Sequence, residues 1–209
     1  MPTTARGPPA PVTERSAATA GCDTLLRGMK ERKQGADGAG LRARAAIADQ
    51  GRANVATGLP VLDHLLTVLA EYASLDLALE VEPGAAGAEV AAAGQALGEA
   101  LAEPLRRKGA RGHGSAALPA EEALAHVALE ASDRPLVVSN VDLSEARVGG
   151  LGTDLVADFL RELAAGARLT LHVRLIEGQD AQHVLEAIFK ALGVALAQAC
   201  RPRTRKELT

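Results

Sequence analysis

Apolar and polar residues alternate most cleanly over residues 168–176 (R-L-T-L-H-V-R-L-I), a period of two that predicts a half-buried strand. The same period marks strands at 75–81 and, more weakly, at 41–49, which ends in a turn near Gln50-Gly51. Residues 123–131 and 135–141 read as further strands, and 115–118 as a short one. Elsewhere the period changes. Val61, Leu62, Leu65, Leu66, Val68 and Leu69 recur at helical spacing, and Pro60 stands in the first turn, where a missing N–H matters least. Residues 54–58 read as the lead into that helix. After a loop at 83–87, an Ala-rich helix is expected over 89–101, stopped near Pro104. Residues 119–122 read as a helix-like turn, and helices follow at 153–165 and 180–199.

Strands and helices therefore come in two rounds, which suggests an α+β fold built by internal duplication. The segment A-L-G-x-A-L-A occurs at 96–102 and again at 191–197, as a duplication would leave it. The expected organisation is a first half at 41–114, a second at 115–200 and a basic tail at 201–209. Residues 1–40 are rich in Pro, Ala, Thr and Gly and poor in large apolar groups. They read as a disordered or loosely ordered extension, with a short helix at 22–33.

Composition narrows the function classes. Apolar residues are 47% of the 209, enough for a sizeable core, yet aromatics are 1%: Tyr72, Phe159 and Phe189. Packing must rest on Leu, Val and Ala. A net charge of -3 with no aromatic platform argues against nucleic-acid binding. Cys22 and Cys200 lie far apart without metal or redox spacing, which fits a reducing cytoplasm. No apolar run reaches the roughly 18 residues of a membrane span, and no signal peptide is expected.

Several segments resemble imidazoleglycerol-phosphate dehydratases, in that family's order. They are T-G-L-P-V-L-D-H-L-L at 57–66, P-A-E-E-A-L-A at 119–125 and D-R-P-L at 133–136. L-T-L-H-V at 169–173 and G-Q-D-A-Q-H-V-L-E-A-I-F-K-A-L at 178–192 complete the set. The resemblance implies two duplicated half-domains, each a four-stranded sheet backed by helices. It also implies a trimer that can assemble into a larger shell, and a lyase of histidine biosynthesis. In the family, two manganese ions held by residues of neighbouring subunits stabilise an imidazolate form of the substrate.

Residue by residue, the resemblance places His64, His172, His183 and Glu186 on metal-ligand positions. The family carries two helical H-H-x-x-E motifs. The second reads Gln182-His183-Val-Leu-Glu186 here, with a poor manganese ligand in place of one histidine. The first is missing, since no histidine lies between His64 and His113. At most one residual divalent metal is expected. His64 reads equally as a ligand or, beside Asp63, as a capping residue. Glu89 is a displaced ligand or simply a helix-face acid. Asp37 is the one candidate for the family's acid/base glutamate. Arg134 matches a phosphate-binding arginine, Arg111 stands near a second, and Lys206 falls in a segment like the phosphate loop. A solvated basic tail is the plainer reading of that last segment. The expectation is a diverged, non-catalytic paralog with a small phosphorylated ligand. The alternative is an active dehydratase with substitute ligands.

Overall fold

Strand β1 (Ala43–Ala48) and strand β2 (Ala53–Ala56) both pair with β3 (Asp76–Val81), β1 antiparallel and β2 parallel. Between β2 and β3 runs helix α1 (Pro60–Ala73), and after β3 comes α2 (Ala86–Arg106). The second half repeats this plan. Strand β5 (Ala123–Ala131) pairs antiparallel and β6 (Leu136–Ser139) parallel with β9 (Leu169–Glu177). Helix α3 (Thr153–Ala167) precedes β9, and α4 (Ala181–Cys200) follows it. Strand β4 (His113–Ala120) adds to β5, giving a four-stranded sheet β4-β5-β9-β6. A small hairpin, β7 (Arg147–Val148) and β8 (Leu151–Gly152), leads into α3. These features come from a computed structural model that describes residues 42–48, 52–142, 147–149 and 151–203. All of them fall in one unit, Gly38–Thr209; the other unit, Met1–Asp37, lies outside the described residues.

The duplication is visible in atomic detail. Ser74 after α1 and Arg168 after α3 both take the left-handed conformation that ends a helix. A Cβ on Gly98 of α2 would meet the Leu163 carbonyl oxygen of α3 at 2.5 Å. One on Gly193 of α4 would meet the Leu69 carbonyl oxygen of α1 at 2.6 Å. The repeated A-L-G segment is therefore the point where each half's second helix crosses the other half's first helix, backbone against backbone. Only glycine permits that approach. The core around these crossings is made of small and aliphatic residues, with Phe159 and Phe189 stacked at 5.7 Å between centroids.

Four expectations change. The first sheet has three strands among the described residues rather than four. Residues 53–56 form a strand, not a helix lead-in; their parallel bonding to β3 is a long-range contact that a four-residue pattern does not announce. Helix α2 starts at Ala86 and runs through Pro104 to Arg106. Buried Leu105 holds its last turn, and the Arg106 guanidinium donates to the carbonyls of Ala167 and Arg168 at 2.7 and 2.8 Å. Residues 119–122 are not helix-like: Glu121 and Glu122 are the two-residue turn of the β4–β5 hairpin, with Glu121 at φ 48°. Helix α4 is long and apolar enough to cross a membrane by length and composition, although no unbroken apolar run in it reaches 18 residues. Its Leu185, Ile188, Leu192 and Leu196 are buried in the core, which accounts for that composition.

The catalytic candidate Asp37, the phosphate candidate Lys206 and the 22–33 helix lie outside the described residues.

Candidate functional site

Helices α1 and α4 pack side by side and bring two of the four metal candidates together. His64 Nε2 lies 3.4 Å from Glu186 Oε1, and Gln182 Nε2 donates to the same oxygen at 3.2 Å. His64 is largely exposed, while the Glu186 side chain keeps 20% of its exposure. Partial burial pushes the Glu186 carboxyl up. The hydrogen bonds from Gln182 and His64 outweigh it and hold the group below its ordinary value. A hollow of about 230 Å³ opens here, lined by Pro60, His64, Gln182 and Leu185. The local fold fixes this geometry through Asp63. Its Oδ1 accepts from the backbone N–H and hydroxyl of Thr57 at 2.9 and 2.6 Å, tying the incoming chain to the first turn of α1. Asp63 thus braces the segment entering α1 rather than capping the helix, and His64 faces the hollow.

His183, one residue along α4, has a different partner. Its Nδ1 lies 2.5 Å from Glu122 Oε2 in the hairpin turn. Glu122 Oε1 also accepts from the N–H groups of Asp180 and Gln179, at 3.0 and 3.4 Å. Those bonds, with the Asp180 contact foremost, draw the Glu122 carboxyl down to about 2, and its contact in turn raises the His183 imidazole. Asp180 caps α4, accepting from the N–H groups of Gln182 and His183.

His172 lies on another surface. Along β9, Leu169, Leu171 and Val173 are buried, so Thr170, His172 and Arg174 take the outer face of the sheet. His172 stands between Ala128 and Val138 there. It shares an open hollow of about 580 Å³ with Arg111, His113, Ser115, Thr170 and Gln198. Arg111 Nε donates to His113 Nε2 at 3.2 Å. The exposed Arg134 borders the same region, because its carbonyl accepts from the Thr170 hydroxyl at 3.3 Å. Two of the three phosphate candidates therefore gather near His172. One candidate ligand, Glu89, is excluded by position: it is 6% exposed, and its Oε1 accepts from Gly84 N–H at 2.7 Å. It holds the turn before α2.

Matching the halves shows what stands opposite these groups. With Gly98 set on Gly193, the start of α2 at Ala86 falls on the start of α4 at Ala181. Gln182, His183 and Glu186 are then matched by Gly87, Ala88 and Ala91. With Ser74 set on Arg168, His172 is matched by Ala78, and His64 by Asp158, which pairs with Arg161. Four polar positions of the second half have small, donor-free counterparts in the first.

The manganese expected from the resemblance is tested by the donors themselves. One chain puts His64 and Glu186 within reach of each other, leaves His183 on Glu122 and sends His172 to the far face of the sheet. Among the described residues no three His, Cys, Asp or Glu side chains form a metal-holding group. The four-donor site expected from sequence is not assembled within one chain. Sequence reading missed Glu122: burial alternates along both strands beside Glu121-Glu122, but their runs of Ala, Gly and other apolar residues hide that period in the sequence. It also missed the Ser115–His126 pair at 2.7 Å, whose register only the paired strands reveal.

Two βαβα halves, crossing through glycine contacts and presenting histidines and a carboxylate at helix starts, define a duplicated α+β protein. The family model for imidazoleglycerol-phosphate dehydratase matches residues 57–196, and the chain belongs to that family, which serves histidine biosynthesis. It is 41% identical over 165 residues to the imidazoleglycerol-phosphate dehydratase of Syntrophobacter fumaroxidans, covering 77% of this chain and 84% of the relative. It is 37% identical over 173 residues to that of Thioalkalivibrio sulfidiphilus, covering 81% and 88%. The crystal structure of the Staphylococcus aureus dehydratase aligns with a TM-score of 0.72 at 34% identity, covering 78% of this chain and 97% of that one. That of Pyrococcus furiosus, in complex with (S)-C348, aligns at 0.71 and 29% identity, covering 82% and 94%.

Proposed function

We propose that this chain is a diverged family member that binds a small phosphorylated imidazole compound without the family's two-metal dehydration centre. The observation that supports this reading is the row of Ala78, Gly87, Ala88 and Ala91, where the matched half carries His172, Gln182, His183 and Glu186. Aliphatic side chains supply no donor for a cation, and dehydration through an imidazolate needs that charge stabilisation. Binding needs less. The Glu186 carboxylate, held ionised by Gln182 and His64, accepts a hydrogen bond from an imidazole N–H. Arg111 and Arg134 lie on the other face of the same chain, so on this reading they supply charge and donors for the phosphate of a ligand held between copies. On this reading the protein works in the cytoplasm as a self-assembled trimer, and ligand loss weakens any larger shell. Light scattering of metal-free protein checks that last point: a stable shell would overturn it.

The second reading is an active imidazoleglycerol-phosphate dehydratase. It is favoured by the names of the relatives, at 41% identity for one of them. It requires donors from neighbouring copies or from Asp37, since Glu89 is engaged inside the fold. The two are separated by assaying purified, folded protein for dehydration of imidazoleglycerol phosphate in excess Mn²⁺, beside an authentic family enzyme. No turnover, with the substrate still bound, supports the first. Turnover at even about a thousandth of the control, a difference of about 4 kcal/mol in barrier, refutes it.

A further inference from the structure

Glu122 makes three contacts from the tip of a two-residue turn, far more than a hairpin needs. Its Oε1 accepts the N–H groups of Gln179 and Asp180, and its Oε2 lies 2.5 Å from His183 Nδ1. Those two N–H groups flank the start of α4, and Asp180, the cap, fixes the backbone of His183 from the other side. The imidazole is therefore held by ring and by backbone at once. A carboxylate can only accept, so Nδ1 carries the proton, and Nε2 is the ring atom left to address a ligand. We infer that Glu122 is a positioning residue: it sets the ring orientation of His183 and directs Nε2 away from the fold. This rests on the reading of the start of α4 as a binding face, but its test does not depend on any ligand.

The experiment is nitrogen-15 NMR of the histidine side chains in the full chain, with His183 assigned by loss of its signals in H183N. Wild type should give a downfield Nδ1–H proton for His183 that exchanges slowly with water. In Glu122→Gln the amide oxygen can still accept the N–H groups of Gln179 and Asp180, so far-UV circular dichroism should not change. The Nδ1–H signal should broaden or vanish, because the amide is a weaker acceptor and can turn its NH₂ toward the ring. Glu122→Ala should lose it outright. A His183 ring protonated only at Nε2 in wild type would overturn the inference. So would an unaltered Nδ1–H signal in folded Glu122→Gln or Glu122→Ala. A structural role confined to Gln179 and Asp180 predicts that last result.

Discussion

Matching Gly98 to Gly193 is what places Ala88 and Ala91 opposite His183 and Glu186, so the equivalence of the two glycines is the first thing to perturb. In Gly98→Ala the new Cβ would stand 2.5 Å from the Leu163 carbonyl oxygen, with Ala167 N at 2.8 Å. In Gly193→Ala it would stand 2.6 Å from the Leu69 carbonyl oxygen, with Ala73 N at 3.0 Å. Both obstacles are helix backbone, which cannot turn aside as a side chain can. The helices must separate by most of an ångström, and such overpacking costs about 1–3 kcal/mol. Replacing glycine by alanine inside a helix returns about 1 kcal/mol of propensity. The net expectation is a loss of up to about 2 kcal/mol at each position, nearly equal because the two crossings are equivalent. Gly87→Ala is the control: its Cβ would meet only the Leu155 side chain, at 3.7 Å. It should be neutral or stabilising by up to about 1 kcal/mol. Urea unfolding of the three variants and wild type measures all of these. A neutral Gly193→Ala beside a damaging Gly98→Ala would refute the equivalence, and with it the assignment of the emptied positions.

Further expectations follow from the same geometry. Refilling the emptied helix start and the second motif together (G87H, A88H, A91E and Q182H) should create Mn²⁺ affinity absent from wild type, read by isothermal calorimetry; wild type binding as tightly as the variant would show that donors are already in place. Glu122 and His183 should link stability to pH. The depressed carboxyl contributes above its ordinary value near 4.5 and loses that contribution as pH falls toward about 2, while the raised imidazole contributes below about 6.5 and loses it as pH climbs through its folded value. The stability gap between wild type and Glu122→Gln should therefore be widest between roughly pH 4.5 and 6.5 and narrow on both sides, and a gap that is flat from pH 3 to 9 would contradict the pairing. Phe159→Ala removes one of two stacked rings from a fully buried site and should cost about 3–5 kcal/mol in chemical denaturation; a loss under 1 kcal/mol would mean the core closes around the gap.

The sequence alone decided the element types where a period was strong. The alternation of β9 and the apolar stripe of α1 need no partner to be read, because burial on one face imposes the period directly. It also decided the family, through ordered segments from T-G-L-P-V-L-D-H to Q-H-V-L-E. The loss of the first histidine motif was equally legible, since no alignment can supply a histidine between His64 and His113. Tertiary structure decided what those residues meet. Nothing local says that His64 pairs with Glu186, that His183 is held by a glutamate from a distant hairpin, or that His172 faces the other side of the sheet. Those outcomes depend on which helices cross and on strand register, contacts between residues far apart in the chain. The register of the two halves is the sharpest case. The repeated A-L-G segment hinted at duplication, but only the backbone oxygens of Leu69 and Leu163, waiting at the same distance beneath Gly193 and Gly98, showed that small residues occupy the first half's matching positions.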